Sequence, residues 1–228
     1  NDSPIISKSS LFGNIYLEMF FINITELGNS FWYFSLILFL FIIFFINKKS
    51  RITNYRYNDQ IIKFSFYSFV YLFCNGLLTQ ILKHLIGRAR PNHATLDGSF
   101  EFYFLNIESN FHSFPSGHSS TIFMVCFILC ALMPRLKYLF FLCALIVSLS
   151  RVVVNAHYFT DVVGGMVLAL IIYKGLNLIL EKRYSFKEIK ILKDFEISNM
   201  VIFLLIVCLF VTIAPSIDIY LAGLFYRG

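Results

Sequence analysis

Phe114-Pro115-Ser116-Gly117-His118-Ser119-Ser120 is a polar turn that opens directly onto the apolar run from Thr121 to Met133. Proline and glycine set up the turn, and Ser116 is a good N-cap. The first free backbone N–H groups of the helix that follows therefore point at whatever sits above it. A helix N-terminus of this kind is an anion site. His118 stands in its first turn, able to give a proton to a bound group. Read alone, the stretch has a bland alternative, a capped membrane helix with an interfacial histidine, and the sequence on either side decides between the two.

That surrounding sequence is built for a bilayer. Of 228 residues, 58% are hydrophobic, 14% are charged and 28 are Phe, with a mean hydropathy of +0.73. No soluble domain of this size needs so much apolar surface. Six runs free of charge, Leu27 to Asn47, Phe64 to Leu82, Ser119 to Pro134, Tyr138 to Ser150, Val162 to Tyr173 and Ile197 to Ile217, approach the roughly 20 residues that cross a bilayer as helix. The expected fold is all-α: one polytopic membrane domain over residues 1–228, a bundle of six transmembrane helices.

The net charge of +6 follows topology rather than a nucleic-acid footprint. Lys48, Lys49, Arg51 and Arg56 fill one connection, Arg135 and Lys137 the next on that side, and Lys182, Arg183, Lys187, Lys190 and Lys193 the third. If the spans alternate, all three lie on one face, which the positive-inside rule makes cytoplasmic. Residues 181–198 are then a basic cytoplasmic segment, residues 1–26 an outer interfacial segment too polar to span, and residues 84–117 an outer loop over the site. All five Cys (Cys74, Cys126, Cys130, Cys143, Cys208) fall within spans and read as small apolar residues, with no disulfide framework and no metal-ligand pairs. No metal and no cofactor is expected.

Four polar clusters come up on the outer side: Lys83 with Arg90, Ser116-Gly117-His118, Ser150-Arg151, and His157 with Asp161. Span two is expected to continue as helix past Lys83 until Pro91 stops it, which sets Lys83 and Arg90 on one face, about 10 Å apart along the axis. Arg88 then projects elsewhere, as a surface or loop contact. His157 and Asp161, four apart, share a helical face, so the Asp accepts from one ring nitrogen and leaves the other free. Each cluster alone passes for an interfacial anchor. Ionisable groups at several helix ends converging on one point read instead as a functional site. A transporter would carry its ionisable groups near the midplane, which makes that reading the distant alternative.

Lys83 to Pro91, Pro115 to His118 and Ser150 to Asp161 together resemble the three-part signature of the type-2 phosphatidic acid phosphatase superfamily, complete and in order over about residues 80 to 165. The resemblance implies a six-helix membrane bundle and metal-independent hydrolysis of a phosphate ester through a phosphohistidine. It makes His157 the nucleophile, Asp161 the group that orients it, and His118 the acid on the leaving oxygen. It makes Lys83, Arg90, Arg151, Ser116 and the Gly117 amide the holders of the phosphate oxygens. The implied substrate is a phosphorylated lipid at the periplasmic face of a bacterial inner membrane, lipid A before phosphatidylglycerophosphate or undecaprenyl diphosphate, with no obligatory protein partner. Residues 197–227 look like the first span of bacterial members placed last, so the expected order is a circular permutation of the usual one.

Overall fold

The computed structural model describes residues 15–50, 55–91 and 102–180. They form six α-helices: α1 (Ile15–Thr25), α2 (Ser30–Ser50), α3 (Tyr55–Ile86), α4 (Gly117–Leu132), α5 (Lys137–Val153) and α6 (Phe159–Leu180). Among the described residues, four stretches are long and apolar enough to cross a membrane: Ser30–Lys48, Asn58–Ile86, Pro134–Val153 and Phe159–Leu180. At 16 residues α4 is shorter, about 24 Å at the usual rise. The chain is an all-α polytopic membrane protein. The sixth predicted span, the basic segment 181–198 and the permuted order lie outside the described residues.

Helix α4 is the centre of the bundle. It packs on α3, α5 and α6, while α2 leans chiefly on α3 and α1 on α5. Phe123 and Met124 of α4, Val147 and Ala144 of α5 and Ala169 of α6 are closed off from the surroundings. The outward faces keep their Phe, Leu and Ile side chains exposed, as lipid-facing helices do. Helices in a bilayer gain little from burying apolar surface against one another, so close packing and polar contacts hold them. Gly165 of α6 allows a close approach to the start of α4, since a Cβ there would stand 2.6 Å from the Ser116 carbonyl oxygen. Between α3 and α4, Ser120 Oγ donates to Asn75 Oδ1 at 2.7 Å and lies 3.2 Å from Thr79 Oγ1. Between α3 and α6, Tyr71 donates to Asn177 Oδ1 at 2.8 Å. Bonds of this kind contribute about 0.6 kcal/mol each on average.

Two expectations need correction. Helix α3 does not run on to Pro91. It ends at Ile86, where Gly87 takes φ +59 and donates back to the Lys83 carbonyl, the usual left-handed glycine stop. Arg88 and Arg90 therefore leave the helix in extended chain, and Arg88 bridges antiparallel to Phe102. Nor does His157 sit on a helix with Asp161. Helix α6 begins at Phe159, and His157 hangs in the turn before it, its N–H on the Arg151 carbonyl. The short α1 lies against α5, and the turn Glu26–Gly28 carries the chain from it across the end of α4.

Candidate active site

The turn before α4 folds as its residue types dictate. Phe114–Pro115 is cis, and Ser116 caps the helix by accepting from Ser119 N at 3.5 Å. The Ser116 N–H in turn donates to the Asp161 carbonyl, which fastens this turn to the start of α6. Ser116 is buried and Gly117 opens the helix, so the free N–H groups of the first turn face inward.

Cations collect at that positive helix end. The Lys83 ammonium reaches it from the last turn of α3, and a Cβ on Gly117 would stand 3.5 Å from its Nζ. Lys83, Arg90 and Arg151 lie within electrostatic reach of one another, and His118 feels all three. Arg90 is steadied by its Nε on the Ser109 carbonyl at 3.1 Å, and Arg151 by its Nη1 on Thr25 Oγ1 at 2.9 Å. Burial pushes the Arg90 guanidinium down from its ordinary value, with the Asp161 charge opposing. Three cations beside a helix N-terminus repel one another, and a multiply charged anion among them would offset that repulsion by attracting each of them.

The carboxylate at this end is already claimed. Asp161 Oδ1 accepts from Arg88 Nη1 at 2.6 Å, and Oδ2 accepts from Ser113 Oγ at 2.5 Å and from the Tyr158 N–H at 2.9 Å. The last bond, three residues back along the chain, is the capping-box contact that starts α6. Arg88 also donates to Thr160 Oγ1 at 2.7 Å and stacks on the Tyr158 ring at 4.2 Å. So Arg88 is no surface contact but the charge partner of Asp161, and among the described residues no carboxylate makes such a pair with Lys83, Arg90 or Arg151.

His157 is buried beside this group. Its Nδ1 lies 3.6 Å from Asp161 Oδ2 and 3.5 Å from Ser113 Oγ, so the ring nitrogen faces both the carboxylate and the serine hydroxyl bonded to it. With Nδ1 turned to Ser113 and Asp161, Nε2 is the nitrogen left for chemistry. Burial, reinforced by Arg151 and Lys83 and opposed by Asp161, pushes the imidazole down to about 4, so it is neutral at pH 7. His118, in the first turn of α4, is packed against Gly28, where a Cβ would stand 2.7 Å from its own.

All eight predicted residues (Lys83, Arg90, Ser116, Gly117, His118, Arg151, His157 and Asp161) meet at this one end of the bundle. Ser150 does not take part: its hydroxyl bonds the Val147 carbonyl within its own helix. The structure adds Arg88, Ser113, Thr25 and Gly28. Gly87 was the available signal for the first, since a helix stopped there releases Arg88 toward α6. The other three meet their partners only through the tertiary fold.

A family model described as the PAP2 superfamily matches residues 64–185, which include all eight positions. Lipid A 1-phosphatase of Rhizobium johnstonii is 44% identical over 102 residues, 44% of this chain and 41% of that one. Phosphatidylglycerophosphatase B of Bacillus subtilis is 31% identical over 126 residues, 49% of this chain and 56% of that one. The matched part thus spans between two fifths and just over half of these relatives' length. Among solved structures, the chain resembles a transmembrane PAP2-type phosphatidylglycerolphosphate phosphatase from Bacillus subtilis, with a TM-score of 0.53 and 26% identity, covering 77% of this chain and 82% of that one.

Proposed function

The chain belongs to the PAP2 superfamily, and from that premise we propose that it hydrolyses a phosphate monoester on a membrane lipid through a phosphohistidine at His157. The observation that carries this reading is the division of charge at the site. Asp161 is neutralised by Arg88, while Lys83, Arg90 and Arg151 stand beside the α4 N-terminus with no carboxylate in ion-pair contact among the described residues.

In the proposed reaction His157 Nε2 attacks phosphorus, forming the P–N bond as the bond to the lipid oxygen breaks. His118 gives its proton to that leaving oxygen. Water then attacks the phosphohistidine, its proton passes to His118, and the P–N bond breaks to release phosphate. Lys83, Arg90, Arg151, Ser116 and the Gly117 amide hold the oxygens, where fixed donors are worth on the order of 100- to 1,000-fold each. The Ser113 hydroxyl gives its hydrogen to Asp161, so its lone pair is free to take one from His157 Nδ1. That arrangement keeps the Nε2 lone pair pointed at phosphorus. Asp161, charge-balanced by Arg88, stabilises the positive ring that forms.

Lipid A is the preferred substrate because two relatives, 44% and 43% identical over 102 residues, bear that activity in their names. Phosphatidylglycerophosphate is the second reading, favoured by the likeness to the Bacillus proteins. Lys48 and Lys137 fall at the end of the bundle opposite the site, which by the positive-inside rule supports a site facing the periplasm of a bacterial inner membrane. Phosphate release from lipid A, phosphatidylglycerophosphate and undecaprenyl diphosphate, measured on purified protein in detergent with a chelator present, tests the reading. Chelator-resistant release from one lipid names the substrate. No release from any of the three contradicts the proposal.

A further inference from the structure

The loop segment from Phe102 to Ser113 is tied firmly to the end of α3. Tyr103 N donates to the Gly87 carbonyl at 2.8 Å, and the Tyr103 ring meets Phe111 edge-on at 4.6 Å. Asn106 accepts from Glu108 N at 2.8 Å and from His112 Nε2 at 2.9 Å, and the His112 ring lies 4.3 Å from that of His84. From this braced base three apolar side chains project: Phe104 is 75% exposed, Leu105 74% and Ile107 84%.

Leu105 sits where neither backbone nor water favours it. Its φ of +61 is a left-handed conformation that glycine or asparagine adopts far more readily than leucine. Its exposure calls for a polar side chain. A leucine at such a point is stabilised only if something apolar covers it, and local strain of this kind belongs at functional positions.

We infer that the Phe104–Ile107 tip dips into the acyl-chain zone of the membrane leaflet at the active-site end. Three observations select lipid as the occupant. Tyr103 is bonded to the residue that follows a spanning helix, and Leu105 lies two residues on, within about 7 Å of chain. The tip is therefore near the end of that helix, whose last turn itself exposes Leu85. Secondly, Phe102 to Ile107 carries no charge, whereas Glu101 and Glu108 bracket it in the sequence. Thirdly, three side chains are far fewer than the 20 or so residues a side that a specific protein interface needs, while a leaflet accepts an apolar wedge of any size. The dip holds Ser109, which steadies Arg90, and Ser113, which bonds Asp161, at the height of the lipid headgroups.

The test uses the full chain in vesicles. Trp32 is the single tryptophan, so a Trp32→Phe, Ile107→Trp protein reports on the tip alone. Quenching by lipids brominated in the acyl chains is expected. Emission quenched by aqueous acrylamide, or shielded from both quenchers by the chain itself or a second copy, overturns the inference. This arm does not depend on the reaction. A second arm uses Leu105→Asn, which relaxes the backbone and should fold at least as well. Its turnover of vesicle-borne phospholipid should fall on the order of tenfold, the scale of transferring one leucine side chain, with hydrolysis of a soluble aryl phosphate unchanged. Equal loss on both substrates, or no loss on either, contradicts the dip.

Discussion

Arg88 Nη1 lies 2.6 Å from Asp161 Oδ1 in a pair whose side chains are 8% and 0% exposed, joining the exit of α3 to the first turn of α6. A carboxylate beside Lys83, Arg90 and Arg151 would offset part of their charge. Arg88 balances it at one oxygen, while the other faces Ser113 and His157.

Removing one partner of a buried pair leaves the other unpaired, at a cost of about 3–5 kcal/mol. Arg88→Ala should therefore lower thermal stability and turnover together. Arg88→Lys keeps the charge without the second donor to Thr160, so the fold should hold while kcat falls and KM stays. Lys83→Ala should instead raise KM and weaken inhibition by vanadate. Steady-state kinetics with vanadate titration separate the two roles, and an Arg88→Lys effect confined to KM would make Arg88 a phosphate ligand.

Ser113 acts on the same carboxylate from the other oxygen. Ser113→Ala removes the donor to Asp161 and the contact to His157, and a buried unpaired group costs about 1–3 kcal/mol. The expected loss of kcat is on the order of ten- to a hundredfold, largely restored in Ser113→Thr. A loss that Thr does not restore, with kcat and folding falling in parallel, would reduce Ser113 to a packing role.

With its folded value near 4, His157 stays neutral well below the ordinary histidine range near 6.5. On the acid side, the free-enzyme nucleophile should titrate near pH 4. The same shift affects stability. Below about pH 6.5 the unfolded chain takes up a proton that the folded chain refuses, so this contribution falls as pH drops from about 6.5 toward 4 and is constant above it. Titration of the His157 ring by NMR, with pH-dependent melting of wild type against His157→Gln, checks both. A ring that protonates at 6.5 would contradict the burial argument.

Gly28 bears on the leaving group through His118. Gly28→Ala puts a Cβ where His118 now packs and should displace that ring. Turnover of a lipid phosphate, whose leaving oxygen needs a proton, should drop more than turnover of an aryl phosphate, which leaves unaided. His118→Ala should show the same selectivity more strongly. Equal losses on both substrates in either variant would remove His118 as the acid.

The described spans, and the gathering of the eight predicted residues at one end of the bundle, were legible because their signals are local. Charge-free runs mark the membrane helices, and turn residues set the polar clusters at their ends. Gly87 also carried a local signal, a glycine just after Lys83-His84 in a last helical turn, but Pro91 read as the stop and hid the true exit of Arg88. Ser113 and Thr25 were not legible in this way. Ser113 finds Asp161 48 residues on, and Thr25 finds Arg151 126 residues on. Nothing in the spacing of α1 announces that its end braces Arg151. The turn holding His157 departs from the helical register expected of residues four apart, yet the tertiary fold brings the ring and Asp161 together.

The central claim is a covalent bond from phosphorus to His157. Rapid acid-free quenching of the purified protein during turnover of a phosphate-labelled lipid, with chelator present, should trap label that is acid-labile and alkali-stable and that maps to a peptide containing His157. His157→Ala should show neither label nor turnover. Label on any other residue, or turnover that survives in His157→Ala, would contradict the account.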